Sequence, residues 1–403
     1  MLRVRIHWFL VLASLCLAPS MVRAQSEVMP VIFTGPLSHP RYDEPGFFTG
    51  FQALYYWTNR PLRPQQVAVR GFIDLDGSVT GQPAGTFIGS KEEALNVEQL
   101  MGPSSAQPGW DIYIGWKFEG GVVVELDWKH LVETKYHATA SLISPSFNTG
   151  SLFENTFLFS PVSNFGPDWD GPFQKVPQGN IGAMLGIWNG ATLMQIEYVQ
   201  RFDIYQVNVR VPIWRTDDYH VYGLFGPRIA WLWDQFRWLT VAYGGDFSNG
   251  VPNNATLSGP QDQALYTNTV SNRLYGTHFG FGHDWWLGNT PIGGFAFECE
   301  LEGAMYIDLV KTSADYARGD GFVSSGRTLR KTALSPGADA RIGLKWYPWE
   351  GITLELGYNI NTFFNTWSSH RPIDFNLGQV DAAYNVQVMR YYQGMNFGIT
   401  FVF

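Results

Sequence analysis

Met395, Phe397, Ile399, Phe401 and Phe403 fall on one parity of the final stretch, and Asn396, Gly398 and Thr400 on the other. This is the period-2 signature of a strand with one greasy face and one small or polar face. The same pattern recurs upstream. Trp110, Ile112, Ile114, Trp116 and Phe118 alternate with Asp111, Tyr113, Gly115 and Lys117; after Glu119-Gly120-Gly121, Val122, Val124, Leu126 and Trp128 alternate with Glu125, Asp127 and Lys129. The glycine pair gives this hairpin a tight reversal. Residues from Thr192 lead, through a bulge expected near Arg201, to Tyr205, Val207, Val209, Val211 and Ile213, and the turn Arg215 to Asp218 returns as Tyr219 to Trp233. Tyr275, Phe279 and Phe281 alternate with glycines, turn at Leu287 to Pro291, and return with Phe295, Phe297, Cys299, Leu301, Met305, Ile307 and Leu309 against Glu298, Glu300, Glu302 and Asp308. Ala338 to Trp346, with Asp339, Arg341 and Lys345 on its polar face, turns at Pro348 to Gly351 into Ile352 to Ile360, which carries Glu355. Gly46 to Trp57 is the first strand.

Between these hairpins lie long Gly-, Pro- and Ser-rich connections: Asn59 to Gly109, Leu131 to Gly190, Asp234 to Asn272, Lys311 to Ala333 and Asn365 to Asn385. Four short turns and five long loops in strict alternation separate ten strands, or twelve if Ile181 to Trp188 or part of the first loop also pairs. An even count puts both termini on one side. An open sheet with such greasy faces aggregates in water, whereas a closed barrel in lipid pairs every backbone group. The expected fold is therefore all-β: a transmembrane antiparallel up-and-down β-barrel with short periplasmic turns and long extracellular loops. Trp116, Trp214, Trp285, Trp286, Trp346 and Trp349 cluster near the short turns, where an interfacial girdle belongs.

Composition agrees. Charged residues are 15% and aromatics 16%, yet beyond the first two dozen residues no apolar run approaches the roughly 18 that a membrane helix needs. Arg3 and Arg5 precede the apolar run Phe9 to Leu17, and Val22-Arg23-Ala24 ends in a small residue, so residues 1–24 read as a secretory signal cleaved after Ala24. Residues 25–45, with four prolines, form a periplasmic lead-in, and residues 46–403 form the barrel domain. Cys16 goes with the signal, which leaves Cys299 and no intrachain disulfide. Losing Arg3, Arg5 and Arg23 moves the formal charge from −8 to −11, with 24 basic against 35 acidic residues. That balance, with no basic cluster evident in the sequence, disfavours a nucleic-acid partner, and none is expected.

Two resemblances sharpen this plan. Asn396, Gly398, Phe401 and Phe403 match the C-terminal motif of bacterial outer-membrane barrels. In that class the motif is read by the barrel-assembly machinery, which the resemblance implies as a partner here, together with outer-membrane lipid. Gly81-Gln82-Pro83-Ala84-Gly85-Thr86, the strand Tyr222 to Arg228 and Asn272-Arg273-Leu274-Tyr275-Gly276 resemble, in that order, the β-barrel porin family abundant in planctomycetes. Gly226-Pro227-Arg228-Ile229 departs from the family's Gly-Phe-Arg-Tyr. The resemblance implies a barrel with a pore in the outer membrane of a Gram-negative-type cell, and supplies neither catalytic residues nor a substrate.

With one parity toward lipid, Glu125, Asp127, Lys129, Glu298, Glu300, Glu302, Asp308, Asp339, Arg341, Lys345 and Glu355 line the lumen. They form either a water-filled eyelet favouring cations or a plug in which the charges pair across a narrow barrel. The first makes the chain a passive channel for small hydrophilic solutes or ions; the alternative is a structural or adhesion barrel acting through its long loops. No serine elbow, metal-binding helix or zinc spacing appears, and His130 and His370 have no acidic partner nearby in sequence, so neither an enzyme nor a cofactor is expected. Asp74-Leu75-Asp76-Gly77 and Asp168-Trp169-Asp170-Gly171 lack the full ligand series of a calcium loop, so no metal is expected. The second loop is rich in aromatics, Phe157, Phe159, Phe165 and Trp169 among them, and is expected to be folded. A homo-oligomer is compatible with the plan.

Overall fold

The computed structural model describes residues 45–74, 81, 86–101, 106–141, 157–169, 187–188, 190–216, 218–242, 259–381 and 385–403. The expected signal segment, its cleavage at Ala24 and nearly all of the lead-in lie outside the described residues, as do Phe147 and Phe153 of the second loop.

Ten strands close a ring. In order round the wall they are β1 (Gly46–Thr58), β4 (Gln107–Lys117), β5 (Val123–Ser141), β7 (Ala191–Arg215), β8 (Tyr219–Ala242), β9 (Gln263–Thr290), β10 (Gly293–Arg318), β11 (Ser324–Trp349), β12 (Ile352–Ser368) and β13 (Val386–Val402). Every neighbouring pair is antiparallel, and β13 closes on β1, with Phe51 opposite Ile399 and the Phe403 amide donating to the Phe47 carbonyl. The first connection contains two further strands, β2 (Gln66–Asp74) and β3 (Thr86–Asn96). They join β6 (Phe157–Phe159), whose Leu158 pairs with Ala191 of β7, and so form a small sheet on the rim at the long-loop end.

Exposed Phe51, Ile114, Leu126, Phe225, Phe279, Ile307, Leu344 and Phe397 face outward and make an apolar belt round the wall. Trp116, Trp214 and Trp349 edge it at the short turns, while Trp128, Tyr205, Trp231 and Tyr275 edge it above. These are the two girdles of a membrane-spanning barrel. Gly121, at φ +79°, supplies the left-handed backbone of the first short turn.

The strands outrun the belt. β9 has 28 residues, about 95 Å of chain at roughly 3.4 Å per residue, against an apolar band about 25 Å tall. The expected loop Lys311 to Ala333 is in fact strand on both sides of a turn at 319–323, and β8 and β9 likewise consume most of the described part of the connection after Asp234. The reason lies in β10. Inward positions run Glu298, Glu300, Glu302, Ala304, Tyr306, Asp308, Val310, Thr312, Ala314, Tyr316, and outward ones run Leu301, Met305, Ile307, Leu309, Lys311, Ser313, Asp315. The pleat is continuous while its polarity inverts: polar-in and apolar-out within the belt become apolar-in and polar-out above it. The bulge expected near Arg201 belongs to β5, where Val132 and Glu133 interrupt the register between Leu131 and Thr134. Above Gly337, β11 makes no ladder with β12 among the described residues. There β12 leans inward, and the Asn272 side chain holds the Trp367 backbone by both its amide and its carbonyl.

Candidate functional site: the lumen

Within the belt the inward parity of eight strands delivers charge to one layer. Lys345 donates to Glu298 at 2.8 Å and to Asp284 at 3.2 Å; Arg341 pairs with Glu355 and lies 3.5 Å from Glu298. Arg210 bridges Glu125 at 3.2 Å and Glu300 at 3.4 Å, and the Tyr222 hydroxyl donates to Glu300 at 2.7 Å. Arg228, almost wholly buried, ties Glu302 of β10 to Asp339 of β11. Lys129 lies 3.7 Å from Asp111. Amides add further donors: Gln206 donates to Asp127, Asn208 to Glu125, Asn361 to Asp339, and Asn396 to both Glu355 and Gln52.

Ten of the eleven sequence-nominated lumen residues thus meet in one polar layer. Asp308 stands apart, fully buried a level higher, opposite Leu274 and Ala333. Of the terminal motif, Asn396 joins the network, Gly398 packs on Gln52, Phe401 faces Thr49 and Ile352 across the ladders, and the Phe403 ring lies 6.0 Å from that of Phe47. Sequence reasoning left out Gln52, Tyr222 and Asp284 as lumen partners and gave Arg228 no role beyond its motif. Their inward parity was the available signal; their partners are set by register between strands far apart in the chain.

Two spaces remain. A cavity of about 190 Å³ opens at the short-turn end, lined by Asp111, Glu125, Asp284, Glu298, Arg341 and Glu355 among others. A pocket of about 40 Å³ lies deeper, round Arg228. Above it Leu54, Tyr56, Leu131, Phe202, Ile204, Leu232, Leu274, Tyr306, Phe363 and Tyr392, drawn from eight strands, pack across the bore as one apolar layer. The Phe202 and Tyr392 rings sit 4.1 Å apart at its centre. Over this seal Arg390 grips Asp234 through two bonds of 2.7 and 2.5 Å, both side chains 1% exposed, and Ser368 adds a third donor to Asp234. A second apolar core then fills the long-loop end: Trp188, Trp238, Tyr266 and Tyr316 from the wall and connections, Val67 and Leu95 from the small sheet, Ile373 and Leu377 from the last loop. Leu158, Phe165 and Trp169 of the second loop pack here, and Phe157 and Phe159 on either side of Leu158 are buried, so the described part of that loop is folded. Burial raises the Tyr266 hydroxyl above its ordinary range, and it accepts the Asp374 amide.

His130 acquires a partner that sequence proximity did not show. Its Nδ1 lies 2.6 Å from Asp203, against Trp110 at 4.4 Å, on the outer wall beside the upper girdle. The Trp128 indole N–H donates to the same Asp203 carboxylate at 3.4 Å.

No family model and no curated protein matches the chain. Among solved structures it is similar to the outer-membrane protease OmpT of Escherichia coli, at 8% identity and TM-score 0.40, over 89% of this chain and 97% of that one. It is also similar to the toluene transporter TodX of P. putida, at 6% identity and TM-score 0.22, over 89% of each chain. The outer-membrane channel DcaP of Acinetobacter baumannii follows at 9% identity and TM-score 0.14, over 89% and 96%. The barrel assignment rests on the closed ladder and its lipid-facing belt.

Proposed function

We propose that the chain works in the outer membrane of a Gram-negative-type cell, short turns toward the periplasm, as a barrel closed in its resting conformation and acting through its extracellular end. The passive-pore reading asks for a continuous aqueous bore. The observation against it is the apolar layer from Leu54 to Tyr392, which lies across the bore between an ion-paired layer and a filled extracellular core. A narrow barrel whose inward side chains meet in the middle is a packed interior. The extracellular end combines the tall ladders running from β7 to β11 with the small β2–β3–β6 sheet, a built surface suited to adhesion or scaffolding. A gated channel is the second reading, supported by the acidic periplasmic vestibule, which would admit cations to the underside of the seal.

Planar-bilayer recording of the refolded chain separates these. The closed barrel gives no stable unitary steps, while the triple variant Phe202→Ser, Phe363→Ser, Tyr392→Ser, confirmed as folded by heat-modifiable gel migration, does conduct. Steady cation-selective steps from the unaltered chain, abolished in preference by Glu298→Gln, Glu300→Gln and Glu302→Gln together, would overturn the closed-barrel reading in favour of the passive pore.

A further inference from the structure

On the outer wall, β9, β10 and β11 present successive rows of side chains that change character abruptly. Tyr275, Ile307 and Leu334 form one row, the last apolar row of the belt. The next row is Arg273, Leu309, Thr332 and the one above it Ser271, Lys311, Arg330, with Lys311 directly opposite both Ser271 and Arg330. Facing side chains on such ladders stand about 5 Å apart at Cβ and diagonal ones about 7–8 Å, so Lys311 stands beside Arg330 and within reach of Arg273. They line a groove of about 570 Å³ that also takes in Lys331, whose Nζ lies 4.0 Å over the Trp367 ring.

The charge of this groove is not neutralised. At the same height on the β5–β7–β8 side, Arg201 and Lys135 both reach Glu133, at 2.5 and 3.2 Å, and Arg237 reaches Glu197 at 3.5 Å. Arg273, Lys311 and Arg330 have no carboxylate within ion-pair distance among the described residues. The nearest acid on the outward face of β10, Asp315, lies two rows higher and accepts from Ser313 at 2.5 Å. Three cations brought together without counter-ions, with the Ser271 and Thr332 hydroxyls beside them and the apolar belt beginning one row below, match an amphiphile with an anionic head. Arginine offers a planar fork to phosphate oxygens and lysine a point charge; Tyr275, Ile307 and Leu334 offer the wall along which acyl chains lie.

We propose that this groove binds a lipid of the outer leaflet whose headgroup carries a phosphate monoester. The inference rests on the membrane orientation given above. It is tested with the full chain in neutral detergent by native mass spectrometry, with dimyristoyl phosphatidic acid and dimyristoyl phosphatidylcholine as competing probes. The expected result is retention of phosphatidic acid over phosphatidylcholine by about tenfold or more, lost in the triple variant Arg273→Gln, Lys311→Gln, Arg330→Gln and kept in the control Arg201→Gln, Arg237→Gln. Equal retention of the two lipids, or a preference that survives the triple variant, overturns the proposal. So does displacement of the lipid by inorganic phosphate at equal concentration, which would mark a site for a free anion. Flotation of the chain with phosphatidylcholine vesicles is read in parallel. A chain that floats without preferring phosphatidic acid loses only the groove; one that does not float loses the membrane reading itself.

Discussion

Asp234 and Arg390 are separated by 156 positions in the chain and by 2.5 Å in space. Each sits at the edge of a stretch that reads as loop, so neither signalled a partner. Burial makes the pair consequential: leaving one charge without the other in a dry interior costs roughly 3–5 kcal/mol, whereas replacing both with apolar groups of similar volume is close to neutral. Arg390→Met is therefore expected to lower the midpoint of heat-modifiable unfolding sharply, and Arg390→Met with Asp234→Leu to recover most of the loss. The luminal acids were more legible, because Glu298, Glu300 and Glu302 repeat at period 2 opposite apolar residues; which cation each one meets depends on register and was not. At the turn between β10 and β11, side-chain hydrogen bonds from Arg318 hold the exposed Asp320 carboxyl down to about 2. Its folded value is depressed, so its contribution is present above the ordinary value of 3.8 and fades as pH falls from there through about 2. The Phe322 amide, which donates to Asp320 at 3.0 Å, should keep its hydrogen-exchange protection at pH 5 and lose part of it near pH 2.

At the scale of the element, the chain shows where a strand crosses lipid more readily than where the strand ends. Within the belt the outward parity is apolar and the inward parity polar, and the hairpins round Gly121 and Gly351 follow directly. Above Leu309 the outward residues become Lys311, Ser313 and Asp315 while Ala314 and Tyr316 turn inward, so a search for greasy outward faces stops although the ladder continues. The inversion fixes the height of the membrane on β10 and makes a graded prediction. Leu301→Arg, in the belt, should cost about 2–4 kcal/mol in urea unfolding from lipid vesicles, and Ser313→Arg, above it, no more than about 1. The upper part of β11, which makes no ladder with β12 among the described residues, carries Arg327, Arg330, Lys331 and Pro336, residue types that discourage a further strand from adding to an edge.

For the molecule as a whole, the ten-stranded ring was countable from alternating short turns and long connections, since the count needs only the rhythm of the chain. The filled bore was not, because both a water-lined eyelet and a paired plug ask for charge on the inward parity. Three stacked layers decide between them, and none is local in sequence: the ion pairs and the apolar seal each join eight strands, and the upper core gathers three separate connections. The closing seam is the least local of all, with Asn396 bonded to Gln52 across 344 positions. Its consequence concerns time. Bringing such distant partners together makes closure slow, and once closed no strand of the wall leaves without tearing two ladders at once, so the folded protein persists through a high barrier to opening rather than through a large equilibrium margin.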